Sequence, residues 1–530
     1  MKYKFSCVFL SLVIIVSLFS GCNRTKSVNI AYPVLDDVRT FDPQYTSSST
    51  ALTVNANIFD CLVAQDKNGD IQPAAAEKWE KNGGTYTFKL NKNMTWRVSP
   101  AVKNTFGEKL PTDFAPRFTA HDFVFALRRL ASPQTNSPWG YMFDAISGFY
   151  AARTAAASPE GIGVTAVSDD TLTITTDYED PDLLKKLAHP AAAPCCEEFF
   201  NLCAGRYGLG LGYLLTNGPY IFARWEAKTY FRIAKYADYK GARKAFADTV
   251  WFYLNDDAAK MNEKLASGVY AAGVTSTADF DREAVGSEYT AEDIDNVLYA
   301  LIFNCAGEVT SIPALRHTLI LSVNKSLFDD EAVGYFPRGA AANLPKGTTG
   351  NLPPNENAET AKEYLRDGLA ELDDDEAEIV ILCAERHEEL LKQQMQHWQK
   401  TLGVPVNVKI SPVTDAELQS AVAKGEYQAA YYPLEVKENT PEDFLSRFVS
   451  GAAGNIMNYA SEEFDDAFAR LCMATNSADA AAAMNTALAA LSGDGVYLPL
   501  RFDGTCLLRS SGCADMYYTD STALMYFVKY

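Results

Sequence analysis

Four clusters hold residue types able to do chemistry, and each lacks the spacing that the chemistry needs. Cys195, Cys196 and Cys203 lie downstream of His189, a set suggestive of a metal ion. No C-x-x-C pair occurs there, and adjacent cysteines rarely reach one metal together. Buried free thiols or a disulfide are the duller reading. His387-Glu388-Glu389 holds part of a zinc-protease helix motif without the second histidine. GLGLG (208–212) lacks the third glycine of the dinucleotide fingerprint and follows no clear strand. DKNGD (66–70) has the acidity of a calcium loop, but the twelve-residue frame and its closing Glu are absent, so a tight turn is expected. No G-x-S-x-G, H-E-x-x-H or G-x-x-x-x-G-K-[ST] sequence occurs, and the five histidines are scattered. The expectation is a binding protein and not an enzyme, with no catalytic residue, no metal site and no cofactor.

Cys22 is different. Lys2 and Lys4 precede an apolar run from Cys7 to Leu18, followed by Phe19, Ser20, Gly21 and Cys22. The run is shorter than the roughly 20 residues of a membrane span and fits a secretory signal. The end of the run resembles the lipobox of bacterial lipoproteins, although Phe19 is bulkier than usual there. That resemblance implies a signal peptide over 1–21, cleavage, and a lipidated Cys22 at the membrane's outer face; two acyl chains suffice for stable anchoring. An uncleaved anchor helix is the alternative. Both place the rest of the chain outside the cytoplasm.

Removing residues 1–21 from 530 leaves 509, too many for one core, so two or three domains are expected. An apolar content of 48% and an aromatic content of 12% mark a globular chain. A net charge of −20 argues against nucleic acid, because no basic patch displaces counterions. Cys7 would leave with the signal and Cys22 would be acylated. Of the remaining cysteines, Cys506 and Cys513 are close enough to staple a local loop, but pairing is not readable from sequence.

Periodicity supplies the elements. TYTFKLNKNMTW (85–96) alternates, with Tyr86, Phe88 and Leu90 on one face of a strand. Residues 118–133 read as a helix, capped by Thr119 and Asp122, with Phe123, Leu127 and Leu130 inward. Residues 219–236 read as two strands, and 334–358 as a long surface loop. The acidic run 371–378 reads as a solvated loop. From 378 to 434 the order is strand, helix, strand, helix, strand: EIVILCA, a helix ending at Gly403, VPVNVKI, a helix opened by Thr414 and Glu417, then YQAAYYPL. That order implies an α/β lobe with parallel pairing, whose ligands sit beyond the strands' carboxyl ends.

Taken in order, these segments resemble the extracytoplasmic solute-binding proteins of peptide and nickel ABC importers, from about residue 28 to the end. The resemblance is carried by TFDPQ (40–44), IFDCLVAQDKNGDIQPAAAEKWE (58–80), TAHDFVFALRRLASPQTNSPW (119–139) and TNGPYIFARWEAKTYFRIAKYADY (216–239). LIFNCA (301–306), ALRHTLILSVNKSLF (314–328), TPEDFLSRFVS (440–450), NYASEEFD (458–465) and VYLPLRF (496–502) complete it. It implies an α/β fold of two periplasmic-binding-protein-like lobes closing on a ligand, with an extra α+β domain on the first lobe. The implied division is domain I over 23–57, 183–270 and 491–530, domain II over 58–182, and domain III over 271–490. It also implies a monomer that carries peptide or another small solute to an ABC permease and its ATPase. A surface peptide sensor without import, a nickel or other non-peptide binder and an extracytoplasmic hydrolase are the alternatives.

The resemblance breaks at one instructive place. Oligopeptide-binding members carry an Asp, before a Y-x-E-P-x-x-F-L segment, that pairs with the peptide's ammonium. Counting back from Pro441, Lys437 stands there. Val422 and Tyr431 fall where such members carry basic residues for the ligand's far end, and Leu434 where an aromatic is common. An unpaired buried charge costs about 3–5 kcal/mol, two to three orders of magnitude in affinity. Four readings are open: Glu435 or Glu438 supplies the anion instead, the ligand presents an anion to Lys437, Asp503 neutralises Lys437, or Lys437 points to solvent. By resemblance the ligand contacts are Asp37 and Val38 through backbone, Trp139 and Tyr141 as apolar walls, and Leu434, Lys437, Glu438 and Asp503.

Overall fold

The computed structural model describes residues 27–34, 38–110, 117–180, 182–254, 258–276, 289–329, 331–403, 405–436, 440–452, 454–519 and 524–530. Cys22, Asp37, Lys437 and Glu438 lie outside the described residues.

Three larger sheets organise the chain. The first has the order Asn29–Val34, Thr249–Leu254, Tyr230–Lys235, Tyr220–Glu226; its first pair is parallel and the others antiparallel. Ile30, Tyr32, Phe231, Ile233, Val250 and Phe252 alternate into its core. The second sheet is antiparallel, in the order Ala76–Asn82, Thr85–Leu90, Thr171–Thr175, Val164–Ser168. Tyr86, Phe88 and Leu90 are buried as expected. The helix Ala120–Leu130 buries Phe123, Leu127 and Leu130, and the Thr119 N–H donates to Asp122 Oδ2 at 2.7 Å. One continuous apolar core serves both sheets.

The third sheet has six strands: Ala272–Ser276, Tyr497–Ser510, Tyr289–Phe303, Ala429–Glu435, Ala377–Ala384, Val406–Val413. The last three pair in parallel, with the helices Glu388–Leu402 and Asp415–Lys424 between them in sequence. Thr414 and Glu417 form the anticipated reciprocal cap at 3.0 and 3.3 Å. The two faces of this sheet carry separate cores. Leu298, Ala300 and Ile302 enter one, and Tyr299, Leu301 and Phe303 the other, as strand alternation requires.

Two long antiparallel strands, Tyr289–Phe303 and Tyr497–Ser510, cross between the lobes. Their ends at Ile294 and Leu507 lie in the first-lobe core, and Leu298 and Phe502 in a second-lobe core. The register slips between Ile294 and Val297, as at a β-bulge that bends a strand. By resemblance residues 491–530 belong with the first lobe; within them, 497–502 pair with 298–302, whose side chains enter the second-lobe cores, with a further register shift between Tyr299 and Ala300. Leu507 and the residues after it lie with the first lobe, where Tyr220 Oη donates to Phe527 O at 2.5 Å and Asn57 Nδ2 to Met525 O at 2.9 Å.

Two features differ from expectation. The 334–358 stretch is no free surface loop: Tyr335 and Phe336 are buried, a short helix spans Arg338–Ala341, and the N–H groups of Thr349 and Gly350 donate to Asn485 Oδ1. Cys506 and Cys513 form no staple, and no disulfide joins the described cysteines. Cys506 points into a small core with Leu265, Tyr270 and Leu508. Burial pushes the Cys195 and Cys203 thiols up to about 12 and Cys196 to about 11, so the cluster offers no thiolate at neutral pH.

Candidate ligand-binding cleft

The segments that suggested the resemblance lock one another, and so set the cleft walls. Asp42 of TFDPQ pairs with Arg129 of ALRRL at 2.6 Å, both nearly buried. Arg129 also donates to Gln44 Oε1 at 2.6 Å, and Gln44 Nε2 donates to Ala191 O and Ala193 O at 2.9 Å. This fastens residues 38–46 to the helix Ala120–Leu130. Asp60 receives Arg243 Nε at 2.7 Å and Tyr239 Oη at 2.6 Å, and exchanges two backbone–amide bonds of 3.0 Å with Asn217. Asp60 and Arg243 are fully desolvated, so each needs the other.

One lip reaches a crossing strand directly, and the other reaches one through the strand Ala272–Ser276. The strand Asn29–Val34 runs beside Ala272–Ser276: the Ala271 N–H donates to Ala31 O at 3.2 Å, and a Cβ on Gly273 would meet Pro33 Cγ at 2.8 Å. On the other side the Val436 N–H donates to Asn296 O at 2.9 Å. The buried Asn296 side chain donates to Glu435 at 3.2 Å and accepts from Thr505 N and Oγ1 at 3.2 and 3.0 Å. Asn296 thus ties the second-lobe lip to the hinge.

The carboxyl edge of the parallel strands carries a polar and aromatic wall. Arg386 follows Ala377–Ala384; its Nη1 donates to both oxygens of Asp415 at 2.7 and 2.6 Å, and its Nη2 to Tyr299 Oη at 3.2 Å. Arg501 lies over the Tyr299 ring at 5.6 Å and 3.4 Å from Asp503. Tyr299, Tyr431 and His387 pack with ring centroids 5.0 to 5.2 Å apart. Burial, then Arg386 and Arg501, push His387 down to about 4, so its ring is neutral at pH 7. Tyr431 Oη and His387 Nδ1 are buried with no hydrogen-bond partner among the described residues. Two guanidinium groups, one over the Tyr299 ring and one on its hydroxyl, are of the kind that suits a carboxylate or another anion.

The predicted contacts separate on this frame. Tyr141 packs on both cores, and its ring lies 5.7 Å from Phe468 of the second lobe. The Asp503 side chain is 5% exposed and accepts from the Gly504 N–H at 2.8 Å. Val38 is buried at the first-lobe lip. Trp139 is no wall: it is buried on His189 at 4.7 Å, and its Nε1 donates to Thr46 O at 2.9 Å, bracing the lip from behind. Leu434 is fully buried opposite Leu298, so in this arrangement it backs the cleft and does not line it. Val422 is likewise a core residue. Sequence reasoning overlooked Arg386, Arg501, Tyr299 and Asn296. The rule that ligands sit past strand carboxyl ends would have reached Arg386.

The lobes touch. Tyr178 Oη donates to Cys472 O at 3.3 Å, and Asn136 Nδ2 to Gly451 O at 3.4 Å. A cavity of about 820 Å³ lies elsewhere, between residues 40–45, the helix Ala120–Leu130 and residues 197–209, with no second-lobe lining.

Residues 70–455 match the family described as "Bacterial extracellular solute-binding proteins, family 5 Middle". The chain is 23% identical over 472 residues to the periplasmic murein peptide-binding protein MppA of Escherichia coli K12, covering 85% of this chain and 83% of that protein. It is 23% identical over 454 residues to the periplasmic oligopeptide-binding protein OppA of Salmonella typhimurium LT2, covering 81% and 78%. The solved structure of Listeria monocytogenes OppA bound to peptide is similar at a TM-score of 0.78 and 20% identity, covering 95% of this chain and 98% of that one.

Proposed function

The chain belongs to the bacterial extracellular solute-binding proteins of family 5, binding proteins and not enzymes, and on that premise we propose that it captures a peptide or related small solute outside the cytoplasm. It does so as a monomer tethered by a lipid on Cys22, and it delivers the solute to an ABC permease and its ATPase. Residues 23–57, 183–270 and 491–530 form the first lobe, 58–182 the accessory domain and 271–490 the other lobe, with 497–502 reaching into the latter along 298–302. The observation that supports this most is the hinge: the second-lobe lip bonds to Asn296 on one crossing strand, and the first-lobe strand Asn29–Val34 lies against Ala272–Ser276, which pairs with the other. The relatives named above for murein peptides and oligopeptides support peptide as the solute class.

In this reading Asp37 and Val38 meet the ligand through backbone, Tyr141 covers it, and Lys437, Glu438 and Asp503 face its polar end. Asp503 is held by Arg501 and the Gly504 N–H, and in this reading Lys437 meets an anion of the ligand. Arg386 and Arg501 give a second anionic group a place, where Tyr431 has replaced a basic residue.

Thermal denaturation of residues 23–530 against a peptide library tests this, each peptide being supplied free, N-acetylated and C-amidated. A ligand at a hundred times its Kd adds about 2.7 kcal/mol of stability. Acetylated peptides are expected to stabilise at least as well as free ones, and amidated ones less. Stabilisation by free-amine peptides alone would move the ammonium site to Glu435 or Glu438 and refute the role given to Lys437. No response to any peptide would point to a non-peptide solute.

A further inference from the structure

The hairpin Tyr220–Glu226 and Tyr230–Lys235 takes no part in the cleft, yet its charge is at odds with the chain. Between residues 220 and 235 stand Arg224, Lys228, Arg232 and Lys235 against one acid, Glu226, in a protein of net charge −20. Phe222, Phe231 and Ile233 point into the first-lobe core. The other face of the sheet carries an aromatic layer. Trp251 and Tyr253 stack at 6.1 Å with planes 9° apart, and Tyr230 lies 5.3 Å from Trp251. Arg232 sits over Trp251 at 4.8 Å and Arg224 over Tyr230 at 5.4 Å. Trp251, Tyr230 and Arg232 are partly exposed and Arg224 is exposed. Amphipathic rings under guanidinium groups are the composition favoured at the headgroup level of a bilayer, where arginine reaches phosphate and the rings lie below it.

The path of the chain selects the occupant. The edge strand Asn29–Val34 pairs with Thr249–Leu254 so that Asn29 faces Thr249 and Ala31 faces Trp251. Trp251 therefore stands two strand residues, roughly 7 Å, from the point where the chain enters the sheet. Cys22 precedes Asn29 by seven residues, a reach of at most about 25 Å. We propose that this face, centred on Trp251, Tyr230, Arg224 and Arg232, rests on the anionic headgroups of the membrane that anchors the protein. The inference rests on lipidation of Cys22. The contact adds headgroup attraction to the lipid anchor and so fixes the orientation of the anchored protein. It holds the first lobe down and leaves the second free to open and close.

The test uses the full lipidated protein in vesicles of phosphatidylglycerol and phosphatidylcholine with brominated acyl chains. Tryptophan emission is expected to be quenched in the wild type, and the quenched component to disappear in Trp251→Phe. The double variant Arg224→Glu/Arg232→Glu is expected to lose at least half of it. Replacing phosphatidylglycerol by phosphatidylcholine throughout does the same to the unmodified protein, a measurement that needs no variant to fold. Equal quenching in the wild type and Trp251→Phe, or quenching indifferent to lipid charge, overturns the proposal. Vesicle flotation of Cys22→Ser reads the anchor separately: flotation at the wild-type level refutes the lipid anchor, while the quenching difference still decides the face.

Discussion

His387 is neutral at pH 7 because burial beside Arg386 and Arg501 pushes it down to about 4. The unfolded chain takes up this proton below about pH 6.5, the folded chain only near 4. Between those values the unfolded state binds more protons, so stability falls as pH drops through that window and levels below it. The span is on the order of 3 kcal/mol. Urea denaturation from pH 7 to pH 4 is expected to show a shallower decline for His387→Phe than for the wild type; parallel declines would remove His387 as a source. The role of His387 was hidden in sequence because it depends on Tyr299 and Tyr431, which reach it from other strands. Asp42 and Arg129 were visible as parts of two separate segments; that they bind each other was not.

At the scale of elements, the crossing strands carry the mechanism. Their close approach at the bulge leaves no room beside Gly504: a Cβ there would lie 2.6 Å from Ile294 O. Gly504→Ala must push the strands apart, at a cost of about 1–3 kcal/mol. Gly493→Ala, with nothing within 4 Å, is the control. Urea midpoints should fall for the first and not for the second; equal midpoints would mean that the hinge yields without strain. The helix caps, the strand pair at 219–236 and the parallel triplet were readable because they depend on neighbours in sequence. The pairing of 497–502 along 298–302 was not, because alternation marks a strand and not its partner.

At the scale of the whole molecule, capture is a balance between open and closed lobes. The hydrogen bond from Tyr178 Oη to Cys472 O joins first-lobe and second-lobe residues and exists only when they meet. A net bond of about 0.5–1.5 kcal/mol predicts that Tyr178→Phe weakens ligand affinity roughly two- to tenfold. The ligand-free protein should keep its urea midpoint. Titration calorimetry with unchanged affinity would show that closure does not use this bond.

The sequence by itself determined the elements named above and the α/β character of the second lobe, because these rest on local periodicity, capping and turn chemistry; the ordered segments pointed to the family by resemblance. Only the tertiary structure decided how the candidate residues are packed. Trp139 and Leu434 went behind its walls, Tyr141 went between the lobes, and Arg386 and Arg501 arrived beside one tyrosine. Side-chain direction there follows from strand partners more than a hundred residues away, and no pattern along the chain encodes that pairing.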